Sequence, residues 1–241
     1  MQSSEEFQNS FKKGLSDGIP IALGYLSVSF AFGISVVSAG LPVYIAVLIS
    51  MTNLTSAGQF AGLGLMLSNA SLVEAALTQL IINLRYSLMS VSISQKLHKS
   101  VSLPERFAVS AGVTDEIFAV AASNKHEIGA KYLYGLILLP YIGWATGTLL
   151  GAVMGSILPS IVQSALGIAI YGMFIAIFIP PMKKSSTVSV VVAIAAAMSC
   201  CFAYIPLLKN VSTGFVIIIC AVFAAAVGAV LKPVDDETEA A

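Results

Sequence analysis

The chain has 241 residues, 57% of them hydrophobic and only 10% charged, with a mean hydropathy of +0.92. A soluble domain carries about a quarter of its residues as charges, so this composition excludes one and indicates an integral membrane protein. Twelve basic and twelve acidic residues balance to a formal net charge of zero; the expected surroundings are lipid, with no nucleic-acid partner.

Residues Met1 to Ser10 include Glu5 and Glu6 and no apolar core, so a signal peptide is not expected and the first span must direct its own insertion. Apolar runs of about twenty residues predict spans at 19–39, 72–94, 132–154, 160–180, 186–206 and 213–231. Two segments are less regular. Segment 43–67 is interrupted by the polar run Ser50 to Gln59, which includes Asn53, and segment 107–123 is short and contains Asp115 and Glu116. If both segments are re-entrant, Lys12, Lys13, Lys96, Lys99, Arg106, Lys125, Lys131, Lys183, Lys184 and Lys232 share one face, as the positive-inside rule prefers. The expected fold is therefore all-α: a polytopic helical membrane protein of about six full spans plus two re-entrant or broken helical segments, with seven or eight spans as the alternative. The whole of 1–241 reads as one transmembrane transporter domain, with 1–16 a cytoplasmic N-terminal segment and 232–241 an acidic cytoplasmic tail.

Within segment 43–67, Ser56-Ala57-Gly58-Gln59 has the spacing of a capping box, with Ser56 as N-cap and Gln59 reaching back. A helix starting there would start inside the membrane, where unwound backbone must line a cavity or be buried, and where half-helix N-termini face anionic groups. In 72–94, Gln79, Asn83, Tyr86 and Ser90 fall on one face of a helical wheel, and Glu74, Thr78, Arg85 and Ser92 on the other. Arg85 is the only charge between Ala75 and Ser94. A charge at that depth costs at least ~2.5–3.5 kcal/mol on insertion scales and normally faces protein or water; the expected counter-charge is Asp115 or Glu116. Thr114-Asp115-Glu116 reads as an N-cap with an acidic first turn, or as carboxylates that bind an ammonium or a coupling proton.

Gly143, Gly147, Gly151 and Gly155 form a small-residue stripe that permits close helix packing. Pro20 to Pro42 and Pro140 to Pro159 both enclose glycine-rich spans, an arrangement compatible with an inverted or parallel duplication. Cys200, Cys201 and Cys220 lie in apolar runs and read as small packing residues, and His98 and His126 as loop residues. No phosphate-binding loop, metal-ligand spacing or His-Glu-x-x-His is present, so no metal, cofactor or enzymatic activity is expected; an ion or substrate gradient would supply the energy.

These motifs, with Asp17-Gly18-Ile19-Pro20 and Phe32-Gly33, Ser56-Ala57-Gly58-Gln59-Phe60, Asn83-Leu84-Arg85-Tyr86 and Asp115-Glu116 in this order over about residues 11–185, resemble the AzlC/YgaZ family, large subunits of branched-chain amino acid exporters. The resemblance implies secondary active export of valine, leucine and isoleucine, extending to methionine, from a multi-pass protein of the bacterial inner membrane with both termini cytoplasmic. It also implies a small membrane partner of the AzlD/YgaH type. The corresponding substrate-binding residues are Asn53, Ser56, Gln59, Phe60, Asn83, Arg85, Tyr86, Asp115 and Glu116. The substrate carboxylate would meet the half helix near Ser56, its ammonium Asp115 or Glu116, and its side chain Leu54, Phe60 and Ile117. Many relatives have His where this chain has Tyr86, which shifts any proton role to Asp115 and Glu116. The rival readings are a small-solute channel and an accessory subunit of a membrane complex.

Overall fold

Backbone buried in hydrocarbon must satisfy its own hydrogen bonds, and this chain does so with helices. The computed structural model describes residues 8–155, 157, 159, 161, 175, 179–183 and 185–231. Its helices are α1 (Phe11–Ser38), α2 (Val43–Thr52), α3 (Ser56–Leu67), α4 (Leu72–Lys96), α5 (Leu103–Ser110), α6 (Asp115–Ser123), α7 (Ala130–Gly155), α8 (Ser186–Tyr204) and α9 (Thr213–Leu231). Most of the span expected at 160–180, and the tail 232–241, lie outside the described residues.

Helices α1, α7, α8 and α9 are long and apolar enough to cross a bilayer. Helix α4, with 25 residues, is roughly 37 Å long at 1.5 Å per residue, but Glu74, Gln79, Asn83 and Arg85 leave it less apolar than those four. It therefore needs protein around it. The described chain divides into two units, one of Met1–Phe60 with Ile82–Gly167 and one of Ala61–Ile81 with Ile168–Ala241.

In the first unit α1 and α7 run parallel in close backbone contact. Gly14 lies against Tyr132 and Leu136, Gly18 against Leu136 and Pro140, Ala22 against Gly143, Leu26 against Gly147, Phe30 against Gly151 and Ile34 against Gly155. The glycine stripe of α7 thus finds its neighbour within the same chain. The two glycine-rich helices pack in parallel, so a duplication relating them would be parallel rather than inverted. A Cβ on Gly18 would stand 2.9 Å from the Leu136 carbonyl oxygen, and one on Gly143 2.7 Å from that of Ala22, distances that only backbone movement could relieve.

Backbone hydrogen bonds join three segments at one end of this unit. Gln8 N–H donates to Glu127 C=O (2.9 Å) and Gly129 N–H to Gln8 C=O (2.8 Å), while Ile128 N–H donates to Lys96 C=O (3.1 Å) and His98 N–H to Ile128 C=O (3.0 Å). The start of α1, the end of α4 and the start of α7 therefore meet there, and the α5–α6 segment leaves and returns to the same end. With eight and nine residues, or roughly 12 and 13.5 Å, neither helix could cross alone. Segment 43–67 also reverses: α2 ends at Thr52, α3 begins at Ser56, and the Gln59 amide of α3 donates to Ser50 Oγ of α2 at 2.8 Å. Both irregular segments are hairpins of short helices.

In the second unit α8 and α9 pack closely at Gly228 and Val191. Glu74, only 5% exposed, accepts the Gly214 N–H at 3.0 Å and so serves as an acidic cap on the first turn of α9. Of the three cysteines only Cys220 is buried; Cys200 and Cys201 lie on α8, which buries none of its residues in this chain, so the packing role expected of them holds for Cys220 alone.

The α1–α7 contact gives a paired test. Gly143→Ala should destabilise the detergent-solubilised protein by about 1–3 kcal/mol, the usual cost of overpacking. Gly24→Ala, on the same pair but with nothing within 4 Å of the added Cβ, should be neutral or stabilising by up to about 1 kcal/mol. Thermal unfolding of the two variants checks the contrast; equal effects would refute the register.

Candidate functional site

Two clusters of polar side chains in the first unit lie at its short helices. The first forms where α4 meets the start of α6. Thr114 caps α6, its hydroxyl accepting the Ile117 N–H at 3.4 Å, and the cap places Asp115 and Glu116 on the first turn, where the helix dipole favours carboxylates. Arg85 Nη1 lies 3.1 Å from Asp115 Oδ2, and its Nη2 donates to the Tyr86 hydroxyl at 2.9 Å. That hydroxyl in turn donates to Asp115 Oδ2 at 3.3 Å. The guanidinium also sits 4.8 Å from the Tyr86 ring centroid, within cation–π range. Both members of the ion pair are partly open, with side chains 39% and 34% exposed. The helical wheel separates Arg85 from Tyr86; the long arginine side chain reaches its immediate neighbour all the same.

Glu116 turns the other way. It accepts a hydrogen bond from the hydroxyl of Tyr25 on α1, which the Thr114 hydroxyl also meets at 2.5 Å. Tyr25 packs edge-on against Trp144 of α7, ring centroids 5.0 Å apart. Trp144 is 3% exposed and its indole N–H has no hydrogen-bond partner among the described residues, an omission that ordinarily costs ~1–3 kcal/mol. The two carboxylates thus have separate partners: Asp115 an arginine, Glu116 a tyrosine.

The second cluster lies at the α2–α3 hairpin. Gln59, Ser50 and Thr148 are fully buried, and the Gln59 amide donates to Ser50 Oγ, which lies 2.6 Å from Thr148 Oγ1. Gln59 Oε1 has no partner among the described residues. The cap of α3 is Thr55, not Ser56: Gly58 N–H donates to Thr55 Oγ1 at 3.0 Å, and Gln59 N–H to Thr55 C=O at 2.9 Å. Gln59 therefore does not reach back as a capping box requires, because its amide is drawn across to α2 and α7. Thr55 also hydrogen-bonds the side chain of Tyr86, which connects the start of α3 to the Arg85 cluster.

Of the residues expected to bind substrate, the structure brings Arg85, Tyr86, Asp115 and Glu116 together around the start of α6. Ser56 is the first residue of α3, and Asn53 is the extended residue after α2. Asn83 lies on α4, two residues before Arg85. Phe60 is elsewhere, edge-on to Phe32 at 5.1 Å. Glu74 and Thr78, on Arg85's face of the wheel, face Gly214 in the second unit instead. Leu54 and Phe118 pack against the apolar core that contains Tyr25, Ile117 and Trp144. Sequence reasoning missed Tyr25, Trp144 and Thr148 and assigned no role to Ser50 or Thr55, although both lie in the polar run that interrupts 43–67; for Tyr25 and Trp144 an aromatic residue in a glycine-rich span was the available signal. Among the described residues no cluster of His, Cys, Asp or Glu could hold a metal ion.

A site that sets an arginine–carboxylate pair beside the start of a half helix can exchange its internal partners for the charges of a small solute. The comparisons agree with a transport-related membrane protein. The family model described as AzlC protein matches residues 20–158. An uncharacterized membrane protein of Archaeoglobus fulgidus is 33% identical over 72% of this chain and 76% of its own length. The inner membrane protein YgaZ of Escherichia coli is 25% identical over 79% of this chain and 80% of its own, and an uncharacterized membrane protein of Helicobacter pylori is 26% identical over 75% and 79%. No solved structure matches. The family match covers more than half of the chain and includes both hairpins and the Arg85–Asp115 pair, and on that basis the chain belongs to the AzlC family of membrane proteins.

Proposed function

We propose that this protein is a secondary exporter of branched-chain amino acids, taking valine, leucine and isoleucine and extending to methionine. It would work with a small AzlD/YgaH-like subunit in the bacterial inner membrane, both termini cytoplasmic. The Arg85–Asp115 pair carries the reading. An α-amino acid presents a carboxylate and an ammonium a few ångströms apart, and this pair presents the complementary charges on two different elements, α4 and the short helix α6.

In this mechanism the substrate ammonium takes Asp115 and its carboxylate takes Arg85, the start of α3, or both in succession. Tyr86, hydrogen-bonded to Arg85, Asp115 and Thr55, follows whichever partner is released. The apolar side chain rests against Leu54 and Phe118, at the edge of the core. When the substrate leaves, Arg85 and Asp115 close on each other, so no charge is left bare in a medium of low dielectric. Glu116, tied to Tyr25 on α1, is placed to pass the change at α6 to the α1–α7 pair and to exchange a coupling proton. A ligand moves an equilibrium only through contacts that differ between its two states, and exchange of ion-pair partners supplies such a difference.

Loss of the gene should raise intracellular valine in cells fed a valine-containing dipeptide; an unchanged level would remove branched-chain export. In proteoliposomes Arg85→Gln and Asp115→Asn should each reduce valine counterflow at least tenfold, on the order of 1.4 kcal/mol or more. Flux without counterflow would identify a channel, and full transport by both variants an accessory subunit. A double-mutant cycle on thermal stability should give a coupling of about 1 kcal/mol between the two positions, and strict additivity would contradict the pairing.

A further inference from the structure

At the end of the first unit where its lysines gather, a cavity of about 450 Å³ is lined by Lys13, Asp17, Asn124, Lys125, His126 and Tyr132, with Val120 at its apolar edge. Its walls are fixed in advance. The loop bearing Lys125 and His126 is held after His126 by the hydrogen bonds between Gln8 and Glu127 and between Ile128 and Lys96, and before Lys125 by that of Asn124 to Tyr132. The hydroxyl of Tyr132 donates to Asp17 Oδ2 at 2.9 Å, and Asn124 Nδ2 donates to that hydroxyl at 3.1 Å. The second oxygen of Asp17 already carries a primary ammonium: Lys13 Nζ stands 2.5 Å away, on a side chain 54% exposed, whereas Asp17 is only 22% exposed. Lys125 is exposed and, among the described residues, forms no salt bridge. Two lysines against one aspartate leave the cavity positive.

We infer that this cavity is where a zwitterionic α-amino acid loads before it reaches Arg85 and Asp115, an inference that rests on the exporter reading. The α-ammonium replaces Lys13 on Asp17, and the α-carboxylate meets Lys125 and the displaced Lys13. An ammonium on a flexible, half-exposed side chain is readily exchanged for another of the same chemistry, while the hydroxyl of Tyr132 keeps the carboxylate oriented. Two elements lead inward from here. Helix α1 carries Asp17 at the cavity and Tyr25 about two turns further on. Helix α6 ends beside the cavity at Ser123 and begins at Asp115, eight positions earlier, or roughly 12 Å away. A positive mouth also raises the local concentration of carboxylates.

The test uses the full-length chain reconstituted together with its small partner subunit, lysine-rich face outward, and initial rates of valine uptake. Asp17→Asn should raise KM about tenfold and Lys125→Gln about threefold, with kcat within twofold of the wild type. Isobutylamine, which lacks the carboxylate of valine, should compete in the wild type but not in Asp17→Asn. Isovalerate, which lacks the ammonium, should compete in the wild type but not in Lys125→Gln. Unchanged KM in both variants, with the wild type still transporting, overturns the loading site and leaves the exporter reading standing. A Lys125→Gln effect that disappears in pure phosphatidylcholine overturns it too, by assigning the lysine to anionic lipid headgroups. No uptake by the wild type overturns both readings. Should Asp17→Asn not accumulate as folded protein, the exposed Lys125→Gln and the isovalerate competition decide the matter.

Discussion

Backbone-to-backbone contact between α1 and α7 is the constraint on which the first unit depends. Lipid gives two apolar helices no reason to associate for the sake of burying surface, so their attraction comes from close packing. Glycine on both sides of the contact, at Gly14 and Gly18 and from Gly135 to Gly155, permits that closeness. The pair then serves as the wall against which the polar groups are set: Tyr25 on one helix bonds Glu116 and packs edge-on against Trp144 of the other, and Thr148 on the second meets Ser50 of α2. Neither polar cluster would have a fixed partner if the two helices separated.

Against that wall rest the two hairpins, that of α5 and α6 through Val109, Val113, Ile117 and Ala121 of the apolar core. Each has a break in the helix and places its side-chain hydrogen bonds where the backbone is interrupted. At α3 the threonine cap and the Tyr86 bond share one residue, Thr55. At α6 one hydroxyl, that of Thr114, both caps the helix and meets Tyr25. A movement of either short helix therefore alters the partners of the charged residues directly, with no long relay needed between them. Two buried atoms without a partner among the described residues, Gln59 Oε1 and Trp144 Nε1, lie on the α3 and α7 sides of this region; buried polar atoms without partners are uncommon in proteins and call for an explanation such as a ligand or water.

Much of this was legible in the chain. Hydropathy located the helices, the polar run in 43–67 located a break, and the cost of an isolated Arg85 required a counter-charge, which is Asp115. The acidic turn after Thr114 is capped as the residue types indicate. What could not be read was set by distance along the chain. Tyr25 meets partners at 114 and 116 and Ser50 one at 148, and no local periodicity records such pairs. The cap of α3 was misplaced by one residue because Thr55 and Ser56 are chemically equivalent as N-caps; tertiary bonds to Tyr86 and Ser50 made the choice. The wheel grouped Glu74 with Arg85, but their eleven-residue separation takes them to different units, a division that angle alone does not show.

The parallel pairing of α1 with α7 also sets an order for assembly. Helix α1 is synthesised early, and the partner that covers its glycines arrives only after residues 39–129 have emerged. In the interval both hairpins, made of helices of 8 to 12 residues, are too short to be stable transmembrane segments by themselves and lack the wall on which they rest. Both hairpins therefore wait for α7 before the surface on which they rest is complete. Contacts of such long sequence separation form late and leave incomplete states exposed, and the glycine seam, whose two sides stand more than a hundred residues apart in the chain, is a contact of that kind.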